Sequence, residues 1–135
     1  MALYLLAVYP NADPAISERE FRQTVEDVGA LVDELAASGG TFVFGGGLNQ
    51  LLPSTVIRSV DGAVVTTDGP FAESKEQLGG FWIIDVDDFE TARGWGTKFA
   101  AATRHTVEVA TFERDDSTVD ELLGHAIEGG MVTRD

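Results

Sequence analysis

Cysteine is absent from this sequence of 135 residues, and basic residues are few, nine against 23 acidic ones. Without cysteine the chain forms no disulfide and has no thiolate chemistry. This fits a reducing compartment, and we expect a cytoplasmic protein. The shortage of lysine and arginine leaves a formal net charge of −14. Such an acidic surface repels phosphate backbones and anionic lipid, so we expect neither nucleic acid nor membrane as a partner.

Long apolar runs and metal-binding motifs are also missing. The apolar stretch at residues 2–9 is too short for a membrane span or a flanked signal segment, and it predicts a strand. The two histidines, His105 and His125, belong to different predicted elements and to no HxH or HExxH motif. The glycines at 45–47 lack the rest of a phosphate-binding fingerprint and indicate a bulge or close packing. We therefore expect no metal and no cofactor.

The order of predicted elements indicates one α+β domain followed by a C-terminal helix. Apolar and β-branched runs predict six strands: 2–9, 41–48, 54–59, 63–67, 80–86 and 104–113. The third and fourth flank Asp61-Gly62, which is a strong hairpin signal. With helices after the first and fifth strands, this is the split βαβ pattern of a ferredoxin-like sandwich carrying an inserted hairpin.

Three helices have recognisable starts. Ser17 with Glu20, and Thr118 with Glu121, form capping boxes, and the first of these follows a chain break at Pro14. Asp87 or Asp88 caps the middle helix. The first helix ends at Gly39-Gly40, and its predicted apolar stripe comprises Phe21, Val25, Val28, Val32 and Leu35. The predicted inner side of the middle helix comprises Phe89, Ala92, Trp95 and Phe99.

The predicted sheet has more apolar surface than two helices can cover. Strands 2–9 and 80–86 are apolar on both faces, yet two helices cover only one face of a four-stranded sheet. A second copy of the sheet is the economical cover, so we expect a homodimer. The C-terminal helix is the competing cover, either within its own chain or exchanged between subunits.

The segment TDGPFAESKEQLGGF, residues 67–81, has two interpretations. In the structural interpretation, Asp68 fixes the turn by accepting backbone N–H bonds, Phe71 fills the core, and Gly79-Gly80 permits close approach to a neighbouring strand. In the functional interpretation, carboxylates act as an acid/base pair beside a lysine. The residues concerned are Asp68, Glu73, Glu76 and Lys75.

Glu108 is a further candidate. It alternates with Val107 and Val109 along the last strand, so it faces away from the helices if the valines pack beneath them. In the cavity of a dimer it would need Arg58 or Lys75 as a partner, whereas a surface glutamate would need none. The full candidate set is Asp68, Glu73, Glu76 and Glu108 for catalysis, and Arg58, Phe71, Lys75 and Trp82 for ligand binding.

The same segment carries a family resemblance. DGPFAESKEQLGGF, followed by a strand ending in aspartate, an Asp-rich helix start and TVEV, resembles the DGPF-domain branch of the YCII-related family. The N-terminal strand, the first helix, the GGL…P…STVIR segment and the hairpin also fit. The resemblance spans residues 1–114 and leaves 115–135 as a C-terminal helical extension. It implies a ferredoxin-like fold that dimerises sheet to sheet as a dimeric α/β barrel.

The resemblance implies less about activity. Members of the wider family are proposed to be enzymes that use a His–Asp pair on the first helix. Asp33 matches the aspartate, but no histidine precedes His105, so that chemistry does not transfer. Many DGPF proteins are encoded beside extracytoplasmic-function sigma factors, which implies a link to transcriptional regulation.

Two functional hypotheses follow. The first is a small-molecule-binding protein, or a cofactor-independent enzyme, with its cavity between sheet and helices. It predicts carboxylates that converge on a closed pocket, at least one of them with a raised pKa. The second is a non-enzymatic regulatory partner of a sigma factor, for which the carboxylates are dispersed or bonded to backbone.

Overall fold

The computed structural model describes residues 2–11, 15–71 and 76–135, and it shows an α+β protein with antiparallel sheets and three helices. The predicted break at Pro14 lies outside the described residues. The elements are β1 Ala2–Tyr9, α1 Glu18–Ala37, β2 Thr41–Gly47, β3 Thr55–Val60, β4 Ala63–Asp68, β5 Gly80–Val86, α2 Phe89–Thr103, β6 Thr106–Thr111 and α3 Val119–Glu128.

Four strands form the main sheet in the order β2-β5-β1-β6, with every neighbouring pair antiparallel. This order is compatible with a ferredoxin-like sheet. Strands β3 and β4 form a separate two-stranded sheet that closes at Val60 and Ala63. The turn residues Asp61 and Gly62 have φ values of 49° and 80°. A two-residue turn with both φ values positive matches the twist of paired strands, so the predicted hairpin is confirmed.

Side-chain caps begin the three helices as predicted. Both capping boxes form, at Ser17 with Glu20 and at Thr118 with Glu121. The cap of α2 is Asp88, whose carboxylate accepts a hydrogen bond of 2.8 Å from the Thr91 backbone N–H. These caps satisfy backbone donors that the first turn of a helix leaves without partners.

The core lies between the main sheet and the helices α1 and α2. Its largest fully buried side chains are Phe99, Leu6, Leu35 and Ile84. Gly96 lets α2 approach β6, because a Cβ at this position would lie 2.5 Å from Val109 Cγ2. This packed core occupies the space between sheet and helices, where we predicted the ligand cavity.

The predicted stripe on α1 is only half correct. Leu35 is fully buried, and Val28 and Val32 pack against the core. Phe21 and Val25, by contrast, are 60% and 57% exposed. The helix has 20 residues and β2 has seven. The helix therefore spans about 30 Å and the strand only about 23 Å, so the first turns of α1 have no sheet beneath them.

Within the described part of the chain, no element covers the second face of the main sheet. This open face carries Leu3, Phe44, Phe81 and Ile83, which alternate with the core residues of their strands. The hairpin β3–β4 and the helix α3 pack closely against none of the other described helices or strands. Cover by α3 from its own chain, the competing prediction, is therefore not what the structure shows.

Candidate functional site

A cleft of about 920 Å³ lies where the end of β1, the loop after β2 and the base of the hairpin meet. It is open to solvent. Its described lining consists of Tyr9 and the residues at 48–56, 68–71 and 76–78. Apolar side chains form much of its wall: Leu48, Leu51, Leu52, Pro53, Val56, Pro70, Phe71 and Leu78.

The glycine pair before β5 brings the loops of the cleft together. The Gly79 N–H donates to the Val8 carbonyl at 2.8 Å, and the Leu48 N–H donates to the Gly79 carbonyl at 2.8 Å. A Cβ at Gly79 would lie 2.5 Å from Pro10 Cγ, and one at Gly80 would lie 2.6 Å from the carbonyl oxygen of Gly46. The predicted role of Gly79-Gly80 in close backbone approach is thus confirmed.

A second set of backbone contacts closes the base of the hairpin. The Gly69 N–H donates to the Ser54 carbonyl at 2.9 Å, and the peptide bond between Gly69 and Pro70 is cis. A Cβ at Gly69 would collide with the side chain and the backbone of Ser54, so only glycine fits here. The preceding loop turns at Asn49, whose side-chain oxygen accepts from the Leu51 N–H at 2.9 Å.

Three of the predicted site residues line this cleft. They are Asp68 at the end of β4, Phe71 just after the turn, and Glu76. Phe71 is 45% exposed, so the prediction that it fills the core is wrong. Arg58, a fourth predicted residue, places its guanidinium carbon 5.0 Å from the centre of the Phe71 ring. Glu73 and Lys75 lie outside the described residues.

Two predicted residues lie elsewhere on the main sheet. Trp82 faces the helices, with its ring centroid 4.4 Å from that of Phe99, and it forms no part of the cleft. Glu108 lies on the open face, because Val107 and Val109 pack against the core beneath the helices. This orientation of Glu108 is the predicted one.

Tyr9 joins the open face to the cleft and was not predicted from the sequence. Its hydroxyl donates to Glu108 Oε1 at 3.5 Å, and its side chain lines the cleft. We expected Arg58 or Lys75 as the partner of Glu108. The available signal was strand alternation, which places Tyr9 at the end of β1 on the face opposite Leu6 and Val8.

The histidines and Asp33 lie apart from the cleft. His105 Nδ1 accepts from the Asn11 N–H at 3.2 Å, whereas His125 Nδ1 lies 2.9 Å from the Glu113 carboxylate. Asp33 is exposed on α1. In the regions that the structure describes, no group of three or more acidic, histidine or cysteine side chains could hold a metal ion. No described helix is both long and apolar enough to cross a membrane.

Shifted carboxyl pKa values occur at helix ends and surface ion pairs. The guanidinium of Arg104, 2.5 Å from Glu20, lowers the pKa of that carboxyl, and bonds from Ser17 add to the effect. Hydrogen bonds from Thr91 lower the pKa of Asp88. These shifts stabilise the fold and supply no acid/base chemistry to the cleft.

Comparison with known proteins places the fold and the cleft in a family context. Residues 2–113 match the YCII-related domain family. An uncharacterized protein of Rhizobium meliloti (strain 1021) is 29% identical over 109 residues, which cover 77% of this chain and 85% of that protein. The family match includes every lining residue of the cleft and ends before α3. It does not distinguish the DGPF branch, which stays a prediction.

Proposed function

The chain belongs to the YCII-related family, and on that premise we propose that it is a homodimer that binds a small molecule in the cleft at the base of the hairpin. The cleft itself carries the proposal. Its volume of about 920 Å³ is close to the upper end of ordinary ligand sites, which span roughly 300–1,000 Å³. Its apolar wall and few polar groups, Tyr9, Asp68 and Glu76 among them, have the composition of such sites.

The open face of the sheet supports the homodimer. Leu3 and Phe44 are 37% and 59% exposed there, and Ile57 and Val64 of the hairpin are 67% and 71% exposed. Exposed apolar surface of this extent is typical of an interface, and a second copy of the sheet offers matching apolar surface. The finer architecture that we propose is a dimeric α/β barrel of ferredoxin-like sheets, with residues 115–135 as an extension.

One polar atom on the same face adds to this argument. Asp85 Oδ1 is buried and has no hydrogen-bond partner in the part of the chain that the structure describes. Asp85 lies opposite Leu3 in the register of β1 and β5. Buried polar atoms in native proteins nearly always have partners, so this oxygen is a place where a second copy would supply a donor.

The cleft also limits which chemistry belongs to the proposal. Carboxylates and a phenol can accept and donate protons, so a cofactor-independent enzyme built on this cleft would catalyse proton transfer. The alternative, a regulatory partnership with a sigma factor, rests on the DGPF resemblance alone.

Ligand binding is tested by screening a library of small molecules for thermal stabilisation of the full chain. A ligand at 100 times its Kd stabilises a protein by about 2.7 kcal/mol, which such a scan resolves. We expect hits whose binding is lost in Val56→Trp, which fills the cleft, and kept in Val119→Trp. Val119 is 80% exposed on α3 and far from the lining. Hits that bind both variants equally would refute the cleft as the site.

The homodimer is tested by sedimentation equilibrium on a matched pair of variants. Phe44 on the open face and Phe21 on α1 are 59% and 60% exposed. We expect a dimer for the wild type and for Phe21→Glu, and a monomer for Phe44→Glu, because a carboxylate on the open face would be buried without a partner. A monomeric wild-type chain at tens of micromolar would contradict the proposal.

A further inference from the structure

The lining of the cleft also indicates the class of its ligand, and we infer that the cleft takes an organic monocation with an apolar body, such as a protonated amine. This inference rests on the proposed function and narrows it. It follows from three properties of the lining: exposed apolar side chains, the balance of charge, and the distribution of hydrogen-bond acceptors.

The apolar wall calls for an apolar body. Leu51 is 94% exposed, Leu52 63% and Phe71 45%, although all three line one cleft. Large apolar side chains grouped in a concave site gain free energy when a ligand removes them from water. A fully polar ligand, such as a sugar or a free phosphate, would leave that surface without a matching partner.

The balance of charge favours a cation. The described lining contains two carboxylates, Asp68 and Glu76, and no lysine, arginine or histidine. The formal charges of Glu73 and Lys75 in the adjoining segment are opposite and cancel. Arg58 adds one positive charge beside Phe71, which leaves the site net negative in a chain of charge −14. An anion would have to approach against that field, whereas a cation is attracted by it.

The hydrogen-bond groups agree with this sign. An ionised carboxylate only accepts hydrogen bonds, so Asp68 and Glu76 present acceptors. Tyr9 donates its hydroxyl proton to Glu108, which leaves the lone pairs of its oxygen as an acceptor for a ligand. An ammonium group carries three donors and no acceptor, which is the complement of such a set. Phe71 adds an aromatic ring, whose attraction for a cation is shown by its contact with Arg58.

The test is a matched series of ligands that differ only in charge. Naphthylmethylammonium, naphthylmethanol and naphthylacetate are titrated into the full chain, with backbone amide shifts of the cleft residues as the readout. We expect the cation to bind about tenfold more tightly than the alcohol, since two exposed carboxylates together contribute on the order of one such factor. The anion should bind most weakly, and added salt should reduce the preference for the cation.

Paired variants assign the preference to the cleft. Asp68→Asn combined with Glu76→Gln should reduce the affinity for the cation to that for the alcohol. The control, Glu26→Gln combined with Asp33→Asn, removes the same two charges from exposed positions of α1 and should keep the preference. If the control loses as much as the cleft variant, the effect is one of total charge and the inference is wrong.

Two further outcomes overturn the inference, and they are distinguishable from failure of the proposed function. Equal affinities across the series, or tighter binding of the anion, refute the ligand class. Absence of saturable binding by the cation refutes it as well. In each case the proposed function stands if the library still yields molecules whose binding is lost in Val56→Trp. If no such molecule exists, the proposed function fails too.

Discussion

The double glycine before β5 allows a sharp test of the backbone packing that forms the cleft, through the substitution Gly80→Ala. Gly80 is buried and pairs with Val8 of β1 on one side and Gly47 of β2 on the other. An added Cβ would lie 2.6 Å from the Gly46 carbonyl oxygen and 2.9 Å from Gly47 Cα, well inside the 3.4 Å at which ordinary contact begins.

The expected cost follows from the kind of atoms that the added methyl group would meet. Both neighbours are backbone, so neither can turn away as a flexible side chain would, and β2 would have to move from β5. Overpacking of this kind costs about 1–3 kcal/mol, and a weakened ladder hydrogen bond adds about 1 kcal/mol. We therefore expect Gly80→Ala to lower the free energy of unfolding by about 2–4 kcal/mol.

Urea denaturation at a fixed protein concentration measures this change, with Gly46→Ala as the control. Gly46 lies on the neighbouring strand, and a Cβ there would meet no atom within 4 Å. We expect the control to stay within about 0.5 kcal/mol of the wild type, as is usual for a substitution that meets no neighbour. A loss below about 0.5 kcal/mol in Gly80→Ala, or equal losses in both variants, would show that β2 and β5 are not held this closely.

Three further predictions concern the helices. Phe99→Ala should lower the free energy of unfolding by about 3–5 kcal/mol, because Phe99 is fully buried, and should shift the fluorescence of its neighbour Trp82; an unchanged urea midpoint would contradict the core described above. Gly29→Ala should raise the free energy of unfolding by about 0.5–1 kcal/mol, since a Cβ there meets no atom within 4 Å and alanine favours a helix; thermal unfolding would refute this by showing a lower midpoint. The pKa of Glu20 is lowered in the folded state from its ordinary 4.5, so its contribution to stability is present above that pH and lost as the pH falls through the folded value. Glu20→Gln should therefore flatten the acid limb of stability against pH, and an unchanged limb would disprove the role of Arg104.

Local sequence signals predicted much of the secondary structure. The capping boxes at Ser17 and Thr118 and the Asp61-Gly62 turn depend on residues within three positions of each other, so their spacing alone defines the geometry. The α+β class and the YCII-related family were likewise predicted and are confirmed.

The site was harder to predict because long-range pairing creates it. Strand 80–86 is apolar on both faces, so composition does not show which way Trp82 points; its pairing with Leu6 places it under the helices. Tyr9, Val56 and Glu76 meet only after β1, the hairpin and the loop before β5 are assembled. The sequence therefore identified Asp68, Phe71 and Glu76 as candidates, but it predicted their cavity between sheet and helices.

The two walls of the cleft differ in mechanical support. Tyr9 belongs to the main sheet, and backbone bonds join Gly79 to Val8 on the same side. Val56 and Asp68 belong to the hairpin, which packs closely against no other described helix or strand. The hairpin can therefore rotate about the loops at its base without breaking a hydrogen bond of the main sheet, and its angle sets the width of the cleft.

That angle would be fixed in the proposed dimer only where the second copy holds the hairpin. Assembly and ligand size would then be thermodynamically linked, so the measured Kd for a ligand would depend on the concentration of the protein itself.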